Sequence, residues 1–202
     1  MFKRLFDFIA AFCGLLITSP LLIIISIWVK FDSKGPVFYR PERVGRFGIP
    51  FRIYKFRSMV IDADKIGPSS TPANDPRITK IGKFLRAYKL DELPQLINVL
   101  LGDMSFVGPR PQVKWAVDLY NDKEKIILNI RPGITDYASL LFSNEGEILK
   151  DSSDPDKDYM EKIHPIKTKL AMEYVNTHSL FVDLKIILKT VAAILNNKKR
   201  SC

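Results

Sequence analysis

Asp91 and Glu92 are adjacent carboxylates with Pro94 two residues on, and proline fits a helix only in its first turn. The pair therefore belongs at a helix N-terminus, where unpaired N–H groups and the positive dipole end favour an ionised carboxylate. Such an aspartate can attack phosphorus or coordinate a metal, although an isolated Asp-Glu-x-Pro more often only caps its helix. Leu93, Leu96, Ile97 and Leu100 are the expected buried stripe behind it. Upstream, Ile78, Ile81, Phe84, Leu85 and Tyr88 recur at helical spacing. Arg77, Lys80, Lys83, Arg86 and Lys89 fill the rest of that helix without an acid among them. Downstream, Arg110 stands between Pro109 and Pro111, which stiffen its backbone and suit its guanidinium fork to bidentate capture of phosphate. Carboxylates, a basic helix and a rigid arginine within about thirty residues point to phosphoryl chemistry more strongly than any one of them alone.

The elements that position these residues begin with an apolar segment, residues 5–29, interrupted by Asp7 and by Thr18-Ser19-Pro20. As one helix it would be about 37 Å long, enough for a hydrocarbon core of about 30 Å. Lys3 and Arg4 precede it, while Lys30, Lys34, Arg40 and Arg43 follow, so both ends carry the positive charge that marks the cytoplasmic side. A re-entrant segment, breaking at Ser19-Pro20 into arms of about 22 and 15 Å, satisfies both ends. A plain spanning helix is the alternative.

Val37–Arg40 and Phe51–Phe56 read as a β-hairpin around the Gly45-x-x-Gly48 turn, and the second strand brings Lys55 and Arg57 towards the dyad. Residues 62–76 are polar and proline-rich, a lid or a disordered connection. Residues 113–128 read as a helix, and Arg131-Pro132-Gly133-Ile134-Thr135 as a turn whose arginine meets a second phosphate or caps a carbonyl. Asp151–Pro155 lacks the glycine of a calcium loop and reads as the entrance to a helix containing Tyr159, Ile163, Leu170 and Tyr174. Residues 180–195 form an amphipathic helix with Leu184, Ile187, Leu188, Val191, Ile194 and Leu195 on one face. That face suits the core, a homodimer contact or the membrane interface, with Lys198-Lys199-Arg200 on anionic headgroups. The fold expected is α+β: a small helix-rich catalytic domain (residues 31–202) with a short hairpin, on a re-entrant membrane helix (residues 1–30).

The run FLRAYKLDELPQLINVLLGDMSFVGPRP, with Lys55-Phe56-Arg57-Ser58-Met59 before it and Arg131-Pro132-Gly133-Ile134-Thr135 after it, resembles the bacterial sugar transferases, the monotopic phosphoglycosyl transferases. The likeness covers nearly the whole chain. It departs at Tyr88-Lys89, where relatives often carry small hydroxylated residues. The resemblance implies transfer of a sugar 1-phosphate from a UDP-sugar to polyprenyl phosphate, with release of UMP, as the first step of building a bacterial surface glycan. It implies Asp91 as nucleophile, Glu92 as Mg²⁺ ligand, Arg86 and Arg110 as phosphate clamps, and Lys55, Arg57 and Arg131 as further phosphate contacts. It also implies a re-entrant helix bent at Ser19-Pro20, at the cytoplasmic face of the inner membrane.

Composition bounds the alternatives. The 202 residues are 47% hydrophobic, with a formal net charge of +9 that asks for an anionic partner. Cys13 and Cys202 offer no disulfide framework, and two histidines are too few for a His/Cys zinc site, leaving an oxygen-bound ion such as Mg²⁺. A lipid phosphatase using the same dyad is the rival enzyme. Nucleic acid is disfavoured as a partner, because the basic residues converge on carboxylates and no nucleic-acid motif is present.

Overall fold

The computed structural model describes residues 2–142 and 144–197, with side chains up to residue 193. Expectations for Ile194, Leu195, Lys198-Lys199-Arg200 and Cys202 lie outside the described side chains. The elements in chain order are α1 (Phe2–Asp32), β1 (Phe38–Tyr39), β2 (Glu42–Val44), β3 (Pro50–Arg52), β4 (Lys55–Phe56), α2 (Lys80–Ala87), α3 (Gln95–Leu101) and β5 (Ser105–Val107). They continue with α4 (Lys114–Val117), β6 (Gly133–Thr135), α5 (Tyr137–Leu141), α6 (Glu145–Ile148), α7 (Pro155–Asp158), α8 (His164–Thr177) and α9 (Leu180–Asn197). The mixture is the expected α+β, with helices dominating three two-stranded sheets.

α1 is helical throughout, with the expected break point Ser19-Pro20 inside it. Its 31 residues run through Pro20, which leaves the Leu16 carbonyl without its usual N–H partner. The Ser19 hydroxyl donates to that carbonyl at 2.8 Å, and Thr18 donates to Gly14 O at 2.7 Å, so hydroxyls take over part of the ladder. α1 is long and apolar enough to cross a bilayer, yet both of its ends are tied to the same domain. Near its start Lys3 Nζ donates to Val107 O and Asp183, Arg4 donates to Val99 O and Leu100 O, and buried Asp7 accepts from Phe106 N. Ala11 packs with Ile53, Val99 and Met104. Near its end Ile25 and Val29 pack with Phe56 and Leu85. Its other side exposes Phe8, Phe12, Leu16, Ile17, Ile24 and Trp28.

The expected pairing is present in β1 with β4, and a second antiparallel pair, β2 with β3, lies inside it around a turn at Arg46–Gly48. Gly48 sits at φ +77°, a conformation that glycine adopts without a Cβ penalty. The expected helix over 113–128 is interrupted. α4 ends at Val117, and Asn121 Oδ1 accepts from Lys123 N and Glu124 N while Glu124 returns a carboxylate to Asn121 N. This reciprocal cap starts a separate 3-10 turn, Glu124–Asn129. Asp154 caps α7 through Lys157 N with Pro155 in the first turn, as read.

Residues 62–76 are organised rather than loose. Buried Arg77 forks onto Asp75 and donates to Ala63 O and Pro68 O, so it is a loop anchor and not part of a basic helix face. Asp156 accepts from Ser69 N and Ser70 N, and Ala73 N donates to Gly146 O. On α9 the buried side is Asp183 and Ile186, while Leu180, Phe181, Leu184, Leu188 and Val191 are exposed. Of the expected apolar face Ile187 packs on the core with Ile186, Val107 and Tyr174, while Leu184, Leu188 and Val191 stay exposed.

Candidate active site

The dyad occupies a 3-10 turn, Leu90–Glu92, that runs through Leu93 and Pro94 into α3. Lys89, at φ +55°, is the left-handed residue that turns the chain out of α2. Asp91 does not cap α3: no hydrogen bond reaches its carboxylate among the described residues, although it is only 9% exposed. Burial pushes its pKa up, and the adjacent Glu92 charge adds to the shift. Lys55, Arg86 and Lys89 oppose it.

Glu92 has the opposite surroundings. Its Oε1 accepts from Lys55 Nζ at 2.9 Å and from Arg110 Nη2, and its Oε2 accepts from Arg110 Nη1 at 3.2 Å. Burial alone would raise its pKa, but Arg110 and Lys55 outweigh that and hold it well below the usual carboxylate range. Glu92 in turn raises the pKa of Arg110, while burial lowers that of Lys55.

Each partner is set by backbone contacts distant in sequence. β4 carries Lys55, and Asn98 fixes the chain leading into it from β3: its Oδ1 accepts from Tyr54 N at 2.8 Å and its Nδ2 donates to Arg52 O at 2.9 Å. Fully buried Asn98 belongs to a buried face of α3 formed with Gln95, Leu96 and Val99. Of the expected stripe only Leu96 is buried; Leu93, Ile97 and Leu100 are half-buried. Arg110 is placed by pairing of its loop with residues 132–136. β5 and β6 run parallel, Gly133 N donates to Pro109 O, Gly108 N to Thr135 O, and Arg110 N to Asp136 Oδ2 at 3.2 Å. Gly108 and Gly133 meet there backbone to backbone. A Cβ on Gly133 would stand 2.1 Å from Gly108 N, so both positions require glycine.

The structure thus gathers Asp91, Glu92, Lys55 and Arg110. Arg86, whose side chain has no hydrogen bond or ion pair among the described residues, stands near Asp91 as one of the charges acting on it. Two expected phosphate contacts are elsewhere. Arg57 is 5% exposed and donates to Val29 O, Ser33 Oγ and O, Lys34 O and Pro36 O, collecting the carbonyls at and beyond the end of α1. The reason is that β4 ends at Phe56, so Arg57 leaves the alternation that would have kept it beside Lys55. Arg131 Nε donates to Gly102 O at 2.8 Å, capping the end of α3 beside Arg4.

Asn98 and Asp136 were missed by the sequence reading. Asn98 carried a signal, a carboxamide within the apolar run of α3. Asp136 carried the helix-cap pattern before Tyr137, and its Oδ1 accepts from Ser139 N at 2.6 Å.

For a metal, no group of three or more His, Cys, Asp or Glu side chains stands together among the described residues. Mg²⁺ commonly takes one or two carboxylates and completes its shell with phosphate oxygens and water. The dyad fits that pattern, since Asp91 is free and Glu92 Oε2 accepts a single hydrogen bond, leaving a lone pair. An activatable carboxylate, a locked carboxylate and converging cations form a site for anionic phosphoryl transfer.

Known proteins are similar to this chain in sequence. The family model described as bacterial sugar transferase matches residues 1–197. The chain belongs to that family. It is 39% identical over 98% of its length to the UDP-glucose:undecaprenyl-phosphate glucose-1-phosphate transferase of Escherichia coli K12, covering 41% of that protein. It is 37% identical over 96% of its length to the exopolysaccharide production protein ExoY of Rhizobium meliloti, covering 85% of it. With the galactosyl transferase CpsE of Streptococcus agalactiae it shares 39% identity, over 96% of its length and 42% of the relative. This bacterial sugar transferase therefore spans about two-fifths of the Escherichia and Streptococcus relatives and most of ExoY.

Proposed function

We propose that this protein transfers a sugar 1-phosphate from a UDP-sugar to undecaprenyl phosphate, releasing UMP, as the first membrane step of surface polysaccharide assembly. The observation that carries the reading is the contrast inside the dyad: a hydrogen-bond-free Asp91 beside a Glu92 fixed by Arg110 and Lys55. Asp91 attacks the sugar-bearing phosphorus. An oxygen–phosphorus bond forms, the bridging phosphorus–oxygen bond breaks, and its electron pair leaves on UMP. The lipid phosphate then displaces the aspartate and carries away the phosphosugar. Glu92, held in place by its two cations, orients Arg110, and Arg110 with Arg86 meets the transferred phosphoryl oxygens. Mg²⁺, held by Glu92 together with substrate oxygens and water, would neutralise diphosphate charge.

The anchor supports the same reading. A helix with both ends tied to one domain leaves those ends on one side of a bilayer, and its exposed apolar side suits insertion into a single leaflet. We place the domain at the cytoplasmic face of the bacterial inner membrane, with the exposed stripe of α9 at the same interface.

The test is a UMP-release screen over a panel of UDP-sugars with undecaprenyl phosphate and Mg²⁺. Release of UMP with a lipid-linked diphosphosugar is expected. Release of inorganic phosphate from the lipid, without UMP, would replace this reading with a phosphatase.

A further inference from the structure

α1 exposes a stripe of large apolar side chains that leads towards the dyad. Ile17, Leu21, Ile24, Trp28 and Phe31 are all exposed, and they recur at steps of four, three, four and three, which stacks them along one side of the helix. The stripe covers about 21 Å of helix and ends against α2. There Trp28, Phe31, Asp32 and Ile81 line a groove of about 270 Å³. Asp32 Oδ2 accepts from Ile81 N at 3.3 Å, which ties the end of α1 to the first turn of α2 and holds the two walls of the groove together. An aromatic line continues from the groove along α2. The Trp28 ring meets Phe84 edge to face with centroids 6.3 Å apart, and Phe84, itself exposed, meets Tyr88 at 4.8 Å. Lys89 then turns the chain into the dyad, and the three residues from Tyr88 to Asp91 span at most about 11 Å.

Charge accompanies this path. α2 carries Lys80, Lys83 and Arg86 with no acid among its residues, and Lys89 follows at its end. The path is therefore apolar where it leaves α1 and cationic where it reaches Asp91. That order matches an amphiphile with an anionic head. A nucleotide sugar, which has no apolar tail, gains nothing from the apolar end. A lipid phosphate that reaches the dyad draws its first isoprene units out of the hydrocarbon, and each apolar carbon left in water costs free energy. A groove walled by Trp28, Phe31 and Ile81, with Phe84 beyond it, covers those units where the bilayer no longer does.

We infer that the groove between α1 and α2 seats the isoprene units next to the phosphate of the lipid acceptor. Trp28 and Phe84 supply the contact rings, and the stripe on α1 is the track for the rest of the tail. The inference rests on the transfer reaction proposed above, and it gives the acceptor an approach along α2.

The test measures sugar-phosphate transfer by the full chain in lipid nanodiscs and reads two constants, the KM for undecaprenyl phosphate and the KM for the UDP-sugar. Trp28→Ala and Phe84→Ala should each raise the lipid KM about tenfold, the factor carried by uncovering about two methylenes, and leave the UDP-sugar KM within about twofold. Trp28→Phe, which keeps an apolar ring in the groove, should recover most of the loss. Phe12→Ala removes an exposed ring from a different side of α1 and should leave the lipid KM within about twofold. An unchanged lipid KM in either groove variant overturns the assignment. So does an equal rise in Phe12→Ala, which would mark general anchoring by bilayer lipid, or a parallel rise in both constants, which would mark a disturbed fold. Wild-type protein that turns over no UDP-sugar would remove the transfer reading and the groove assignment with it, a result separate from an active wild type whose groove variants keep their lipid KM.

Discussion

At the dyad Arg110 forks onto the Glu92 carboxylate, whereas at the end of α1 Arg57 spreads its donors over backbone carbonyls. Both guanidiniums are fixed, and in the sequence both stand near apparent catalytic motifs. The difference lies in what a substrate can still reach. Arg110 is 32% exposed and holds Glu92 beside the hydrogen-bond-free Asp91, while Arg57 is buried and its donors go to acceptors within the protein. Arg131 sides with Arg57, capping α3. The lesson is that a cation's function follows from its partner: under the proposed mechanism the carboxylate beside Asp91 belongs to the chemistry, and a helix-end carbonyl belongs to the scaffold.

Exchanging each arginine for lysine should break the two regions differently. Arg110→Lys keeps the charge but loses the two-point contact with Glu92, so kcat/KM should fall about 10²–10³-fold with little change in Tm. Near-normal turnover would mean that Arg110 only shapes its loop. Arg57→Lys should act through the fold, because one ammonium cannot serve this many acceptors. A loss of about 2–4 kcal/mol is expected, read as a fall in Tm of roughly 5–15 °C, with turnover per folded molecule retained below the transition. Equal loss of turnover at full stability would return Arg57 to the site.

A smaller effect sharpens the contrast within the dyad. The Asp91 pKa is raised, so the acid limb of activity should lie above the ordinary aspartate value of about 3.9, with rate lost as pH falls through it. For stability the two signs are opposite. Glu92, depressed in the fold, contributes stability that is present above its unfolded pKa and lost as pH falls through its folded value. Asp91, raised in the fold, costs stability once ionised, so Asp91→Asn should raise Tm slightly at neutral pH. A fall in Tm for Asp91→Asn would contradict the environment described here.

Local rules made part of this legible in advance. Pro94 placed the dyad at a helix start, the flanking prolines marked Arg110 as fixed, and alternation with a glycine turn gave the hairpin. What depended on distant partners was not legible. Arg57 is claimed by carbonyls of residues 29–36, Arg131 by Gly102, and the inner face of α3, through Asn98, by the chain at Arg52 and Tyr54. Residues 113–128 carried helical apolar spacing, but the reciprocal cap between Asn121 and Glu124 outcompeted continuation. At Ser19-Pro20 the Ser19 hydroxyl covers the Leu16 carbonyl that proline strands, so the helical assignment runs through the expected break point.

The central claim is that Asp91 is the nucleophile, and it is tested most directly by supplying UDP-sugar without lipid. The account predicts a burst of UMP about equal to the enzyme present, and a phosphosugar adduct located on Asp91 by peptide mass spectrometry after trapping with radiolabelled sugar phosphate. Asp91→Asn should give neither signal while remaining folded. An active wild-type preparation that yields no adduct and releases UMP only when lipid is added would contradict it, and would leave Asp91 as a base or metal ligand in a direct transfer.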